Sequence, residues 1–278
     1  MISKVDAIPE QGSTLSLTLQ DITNGYMIKD ITGLDPVKAT IVSSNFASMD
    51  GEQFQSSRRD KRNIVIKLGL RSEYTTSGNV RDLRSQLYKI FMPKSTVRLR
   101  FFDEWMDMEY VEISGMVESF ESSLFVKEPE VTISLICFDS DFYAPEPRAA
   151  HGDSTAMATQ TLVPYDGDIE TGIRFIMNVN RSLPNFVLHH RAGSTSAPER
   201  DMIFNTALSS GDVIEIQTYA GDKHVTLTRG GVTTSILYGL DPASIWTELV
   251  PGNNYIRVSS SGAPISYTIE FTERYGGL

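Results

Sequence analysis

The sequence predicts an all-β fold with one helix, arranged as two domains. Three observations carry this. Alternating apolar and polar runs recur along the 278 residues, and only one stretch, 79–91, switches to helical spacing. An aperiodic segment containing Pro145 and Pro147 then separates two halves of different rhythm. Residues 1–148 read as a β-sandwich or barrel with the helix lying across a sheet. Residues 149–278 read as a jelly-roll β-sandwich.

Composition supports two ordinary cores, with 40% apolar and 22% charged residues. The formal charge is −10, and both halves share the acidic excess. Acid spread this evenly argues against a face that neutralises nucleic-acid phosphates, and it would be repelled by an anionic membrane. No apolar run approaches the ~20 residues of a membrane span. The start, Met1-Ile-Ser-Lys-Val-Asp6, lacks the pattern of an export signal, so synthesis in the cytoplasm is expected. Cys137 is the only cysteine, which leaves no partner for an intrachain disulfide and no cysteine-based metal site. Its alternation with Val131, Ile133 and Leu135 makes it a small buried hydrophobe.

In chain order, residues 1–12 look like a loose arm. Leu15–Leu19 alternates strictly. Asn24-Gly25 is a turn signal that would return 26–31 antiparallel to that run. In Val37–Phe46 one face holds Val37, Ala39 and Ile41; in Arg62–Arg71 one face holds Ile64, Ile66, Leu68 and Leu70. Between them come an Asp50-Gly51 turn and the basic cluster Arg58, Arg59, Lys61 and Arg62. The helix carries Val80, Leu83, Leu87, Ile90 and Phe91, with Asn79 or Ser77 as its cap and Pro93 beyond its end. Strands at Thr96–Phe102, Met106–Phe120 and Lys127–Phe138 close the half, with a turn near Glu118–Ser123. Residues 139–154 read as linker. In the second half, short strands recur about every ten residues, separated by pairs such as Asp166-Gly167, Ser210-Gly211 and Pro251-Gly252.

Enzymatic chemistry finds little footing. No nucleophile elbow, zinc-protease motif or phosphate-cradling glycine loop is present. His189 and His190 are neighbours in a strand and point to opposite faces, while His151 falls in the linker. Carboxylate pairs such as Asp166 with Asp168, or Glu104 with Asp107, are commonplace in an acidic chain. No catalysis, cofactor or metal is expected.

Several stretches together resemble the distal tail proteins of long-tailed siphophages. In the first half these are Gly33-Leu34-Asp35-Pro36, Asp50-Gly51 and Arg62-Asn63-Ile64-Val65-Ile66, with the aromatic exit Cys137–Pro145. In the second they are Leu208-Ser209-Ser210-Gly211-Asp212-Val213-Ile214-Glu215-Ile216 and Leu249-Val250-Pro251-Gly252-Asn253-Asn254-Tyr255-Ile256. The resemblance covers nearly the whole chain. It implies a tail-tube-like first domain and a galectin-like second domain. It also implies a homo-hexameric ring between the tail tube protein and the tail-tip or hub protein, with DNA passing through its channel without specific binding.

Two residue sets follow as expectations. Arg58, Arg59, Lys61 and Arg62 would reach the carboxylates of a neighbouring subunit. The alternative role is binding of a host surface glycan by the second domain. Trp246 is the expected contact, since alternation places it opposite Ile245, Thr247 and Leu249; Tyr219, Tyr238 and Tyr255 are the other aromatic candidates.

Overall fold

The computed structural model describes residues 2–19, 21–45, 50–74, 79–103, 109–123, 126–154 and 159–278. The chain divides into two compact units, one of residues 1–145 with 275–278, the other of residues 146–274.

The first unit is built on one large antiparallel sheet. Its strands are β1 (Ile2–Pro9), β2 (Leu15–Thr18), β3 (Tyr26–Thr32), β6 (Arg62–Leu70), β7 (Thr96–Asp103), β8 (Val111–Ser122) and β9 (Glu130–Cys137). They run in the order β2-β1-β7-β8-β9-β6-β3, a nearly closed, barrel-like sheet. A separate hairpin, β4 (Ala39–Ser44) with β5 (Gln53–Arg59), stands off it as its own two-stranded sheet. The short β10 (Phe142–Tyr143) pairs with β8 through Tyr143.

Alternation decides which side of each strand is buried. Ile64, Ile66, Leu68 and Leu70 of β6, Val97, Leu99 and Phe101 of β7, and Val131, Ile133, Leu135 and Cys137 of β9 all enter one core. Burial pushes the Cys137 thiol up to about 11, as suits a packing residue rather than a nucleophile. The one α-helix among the described residues, α1 (Val80–Ile90), buries Leu83, Leu87 and Ile90 in the same core. The side chain of Asn79 caps it by accepting from the Asp82 N–H at 3.0 Å. Ser77, the other expected cap, lies outside the described residues, as do Glu104 and Asp107.

Three expectations for this unit are corrected. Residues 2–9 are no loose arm: β1 pairs with both β2 and β7, and Val5 and Ala7 are fully buried. The charges of Lys4 and Asp6 sit on the opposite face of that strand, where they pair with each other at 3.2 Å. β2 and β3 do not form a hairpin either; β3 pairs with β6 and β2 with β1. Two neighbours in sequence thus take opposite ends of the sheet order, an arrangement suited to near-closure. Finally, the expected turn after Glu118 is continuous strand, and β8 runs on to Ser122 with an irregularity between Val117 and Ser119.

The second unit is a two-sheet sandwich of the galectin-like, jelly-roll kind. One sheet has the order β11-β22-β14-β17-β18-β19: β11 (Arg148–Asp153), β14 (Arg174–Asn178), β17 (Val213–Gln217), β18 (His224–Arg229), β19 (Val232–Ser235) and β22 (Ser266–Phe271). The other has the order β12-β21-β15-β16: β12 (Thr161–Tyr165), β15 (Phe186–Ala192), β16 (Arg200–Phe204) and β21 (Gly252–Ser259). A small pair joins β13 (Thr171–Gly172) to β20 (Glu248–Leu249). Inward residues such as Phe175, Leu188, Phe204, Ile214, Ile216, Ile256 and Ile269 form the second core.

The expected linker is shorter than the sequence implied. Arg148–Asp153 pairs along its whole length with β22, so His151 is a strand residue, its Nδ1 3.1 Å from Thr268 Oγ1. Among the described residues no helix is long and apolar enough to cross a membrane.

Candidate functional site

Among the described residues, the first unit leaves one element without a core to cover it, the β4–β5 hairpin. Its register pairs Ala39 with Arg59, Thr40 with Arg58, Ile41 with Ser57, Val42 with Ser56 and Ser43 with Phe54. All seven residues of β5 are exposed. Ile41 is 66% exposed, Val42 45% and Phe54 63%. The alternation expected to put Ile41 on a core face is present, but the face meets no core within this chain. Since Ile41 shares a side with Ser43, and Ser43 lies opposite Phe54, the two largest apolar side chains stand on one face of the ribbon. The Asp50-Gly51 turn signal falls in its loop, where Gly51 takes the left-handed φ of +93°. Residues 46–49 of that loop lie outside the described set.

A two-stranded ribbon alone is marginally stable in water. Its base explains how it holds a direction. Thr40 Oγ1 donates to the Asp60 carboxylate, 2.8 Å from Oδ1 and 3.0 Å from Oδ2, and the Asp60 N–H donates to Lys38 O at 3.0 Å. Arg59 closes a forked pair on buried Asp141, its Nη2 3.0 Å from Oδ2.

The basic cluster is thereby sorted by position. Arg62 is only 1% exposed. Its Nε donates to Ser140 O at 2.7 Å, Nη1 to Gly33 O and Asp35 O at 2.6 and 2.7 Å, and Nη2 to Gly276 O at 2.6 Å. The guanidinium also lies over the Phe142 ring at 4.5 Å. Burial draws its pKa below the ordinary arginine value, with the charge of Asp141 among those opposing the shift. Arg62 is therefore a structural tie inside its own chain, not a contact arm. It binds the chain's C-terminal residues to the first unit, where Leu278 N–H also donates to Leu34 O at 3.1 Å. Gly33 permits this junction: its φ is +89°, and a Cβ there would stand 1.9 Å from Asn63 O. Arg59 serves the hairpin base. Arg58 and Lys61 are exposed and make no ion pair among the described residues.

Trp246 is also moved from its expected role. It packs against the second core, with Lys223 Nζ 5.8 Å from its ring centroid, while Ile245 is the exposed neighbour. The expected alternation fails because 243–247 is not a strand; only Glu248–Leu249 pairs, as β20. Tyr238 is exposed in a short turn, Tyr219 is half-buried, and Tyr255 stands on the outer face of β21. As expected, the two strand histidines diverge. His190 is fully buried with Nε2 2.9 Å from Asn254 Oδ1, and His189 faces outward beside Asp201 at 2.7 Å.

The most telling sequence stretches prove to be turn locks. In Leu208–Ile216, Asp212 is buried; its Oδ2 accepts from Ser209 N–H at 2.7 Å, and Arg229 grips both oxygens at 2.9 and 2.6 Å. In Leu249–Ile256, buried Asn254 accepts from Val250 N–H at 3.0 Å and donates to Val250 O and Gly252 O at 2.8 and 3.2 Å.

Comparison with known proteins agrees on both units. Residues 12–137 match the family model of a phage tail protein RIFT-related domain. Residues 166–275 match that of a siphovirus-type tail component, C-terminal domain. The chain belongs to the siphovirus distal tail protein family. A solved structure with the same fold is the Dit protein of phage SPP1, described as a paradigm of the hub adsorption apparatus of phages infecting Gram-positive bacteria. It is 17% identical, with a TM-score of 0.66 over 97% of this chain and 98% of that one. A chain of the activated phage P2 baseplate aligns over 100% of both chains at 11% identity and a TM-score of 0.45, too low to bear on the fold. No curated protein matches the sequence. The chain is thus a structural component of a phage tail, and the family is one of tail components rather than enzymes.

Proposed function

We propose that this distal tail protein forms a homo-hexameric ring at the end of a long phage tail. One face of the ring takes the last ring of the tail tube protein. The other takes the tail-tip or hub protein, and DNA passes through the central channel without specific binding.

The observation that carries this reading is the β4–β5 hairpin. An exposed ribbon with Ile41 and Phe54 on one face is an interface half, because apolar surface held out on a marginal element gains stability only when something covers it. A head-to-tail ring supplies that cover from the next copy of the same chain. Arg58 and Lys61 then have a partner at hand in the acidic surface of an acidic neighbour. The net charge of −10 suits the channel, since like charge keeps the duplex from adhering to a wall through which it must slide.

Electron microscopy of the purified protein and of intact tails tests the proposal. It expects a sixfold ring at the distal end of the tube, with the hairpin lodged on the adjacent subunit and carboxylates along the lumen. A solvent-facing hairpin in the assembled tail, or a lumen lined with arginine and lysine, would contradict it.

A further inference from the structure

The helix α1 turns an unneutralised basic face to solvent. Leu83, Leu87 and Ile90 enter the first core, so the other side of the helix points away from the sheet. Over residues 80–95 the cations are Arg81, Arg84, Lys89 and Lys94, against the single carboxylate of Asp82. Arg81, Lys89 and Lys94 are exposed and Arg84 is half-buried; none of them makes an ion pair among the described residues. Lys89 in the last turn suits the helix dipole, but Arg81 in the first turn opposes it. Four cations against one carboxylate leave a local excess of three positive charges in a chain of net charge −10. Nothing within the helix accounts for that excess.

The opposite side of the same sheet is acidic. Phe120 of β8 turns towards the helix, its ring centroid 4.8 Å from that of Tyr88. The next residue, Glu121, points the other way with Thr132, its partner on β9. There Glu121, Val126, Glu128 and Glu130 line a groove of about 520 Å³. Glu128 pairs with Arg71 at 3.2 Å and Glu130 pairs with Lys29, while Glu121 makes no ion pair among the described residues. Around the groove, Asp30, Glu118, Glu121, Glu128 and Glu130 outnumber Lys29, Lys67 and Arg71 by five to three. Exposed Val126 gives the groove an apolar lip.

A basic helix and an acidic groove on opposite sides of one sheet cannot neutralise each other within a chain. They can do so between successive copies, and unlike patches joined head to tail are the contacts that close rings. We infer that the basic face of α1 is an interface half, seated in the acidic groove of the next copy. Arg81, Arg84 and Lys89 meet Glu121, Glu128 and Glu130, with exposed Tyr88 and Met92 against Val126 at the centre. The inference rests on the self-association proposed above, but not on the hairpin. It adds to the hairpin's apolar contact a second one that salt weakens.

Sedimentation velocity of the purified protein across concentration and salt tests this. Arg84→Glu with Lys89→Glu should raise the concentration for half-association about tenfold or more at about 0.1 M salt, and by much less at about 0.5 M. Glu121→Lys with Glu128→Lys should do the same, and a chain carrying all four reversals should regain association. Arg84→Gln with Lys89→Gln, which removes charge without reversing it, should weaken association in the same direction and keeps the test readable if a reversed chain does not fold. Association of the original chain that survives both reversed pairs overturns the inference and leaves the ring standing. No association of the original chain at any concentration overturns both. If the helix pair loses binding to duplex DNA while association is unchanged, the face belongs to nucleic acid and the inference is equally overturned.

Discussion

At the scale of residues, the fold rests on a few polar side chains buried with their partners in place. Arg62 gives four N–H groups to four backbone carbonyls from separate parts of the first unit. Arg62→Ala would strand those carbonyls and open a cavity, so a loss of at least about 3 kcal/mol is expected in urea unfolding. Arg62→Lys should lose much of the same stability, because an ammonium group cannot reach four acceptors from one plane. Asn254 is similarly saturated, and Asn254→Ala should cost about 2–3 kcal/mol. Its neighbour His190 gives a pH signature. Burial, opposed by the Asn254 hydrogen bond, holds the imidazole below its ordinary 6.5. The unfolded chain takes up a proton below that value while the folded chain does not, so stability should fall as pH drops from 6.5 towards the depressed folded value. The urea midpoint measured across that window should follow this slope, and His190→Gln should flatten it. These roles were only partly legible in the sequence. Gly33, Asp212 and Asn254 stood out in stretches of recognisable order. Arg62 read as one member of an exposed basic cluster, because local spacing does not show which of four adjacent cations the returning C-terminus will cover.

At the scale of elements, the hairpin β4–β5 bears most of the functional argument. Substituting both Ile41 and Phe54 by glutamate should leave the stability of the single chain in urea unfolding within about 0.5 kcal/mol of its original value, as both side chains are exposed. The same pair should sharply weaken self-association in sedimentation velocity. Arg58→Glu should weaken association less, in a salt-sensitive way. Arg59→Glu is a different experiment, since it sets a carboxylate against buried Asp141 and should destabilise the fold itself. Period-two alternation made most strands readable, from Ile64–Leu70 to Ser266–Phe271, and 3.6-residue spacing did the same for α1. It could not show that the apolar side of β4 meets no core, since a covered face and a waiting interface have the same pattern. It also missed β1, whose charged Lys4 and Asp6 masked the inward Val5 and Ala7. Strand pairing was the least legible: β2 and β3 are adjacent in sequence but stand at opposite ends of the sheet order, and near-closure is a property of the whole sheet.

At the scale of the whole molecule, two all-β units of different construction place the chain in the siphovirus distal tail family. The assembly proposed for the chain follows from a surface of the first unit. The first presents an exposed apolar ribbon, which calls for another copy of the chain. Native mass spectrometry of the purified protein tests the ring. Six copies are expected as the largest abundant species, reduced to smaller species by the Ile41 and Phe54 glutamate pair. A monomer at every concentration, unchanged by that pair of substitutions, would contradict it.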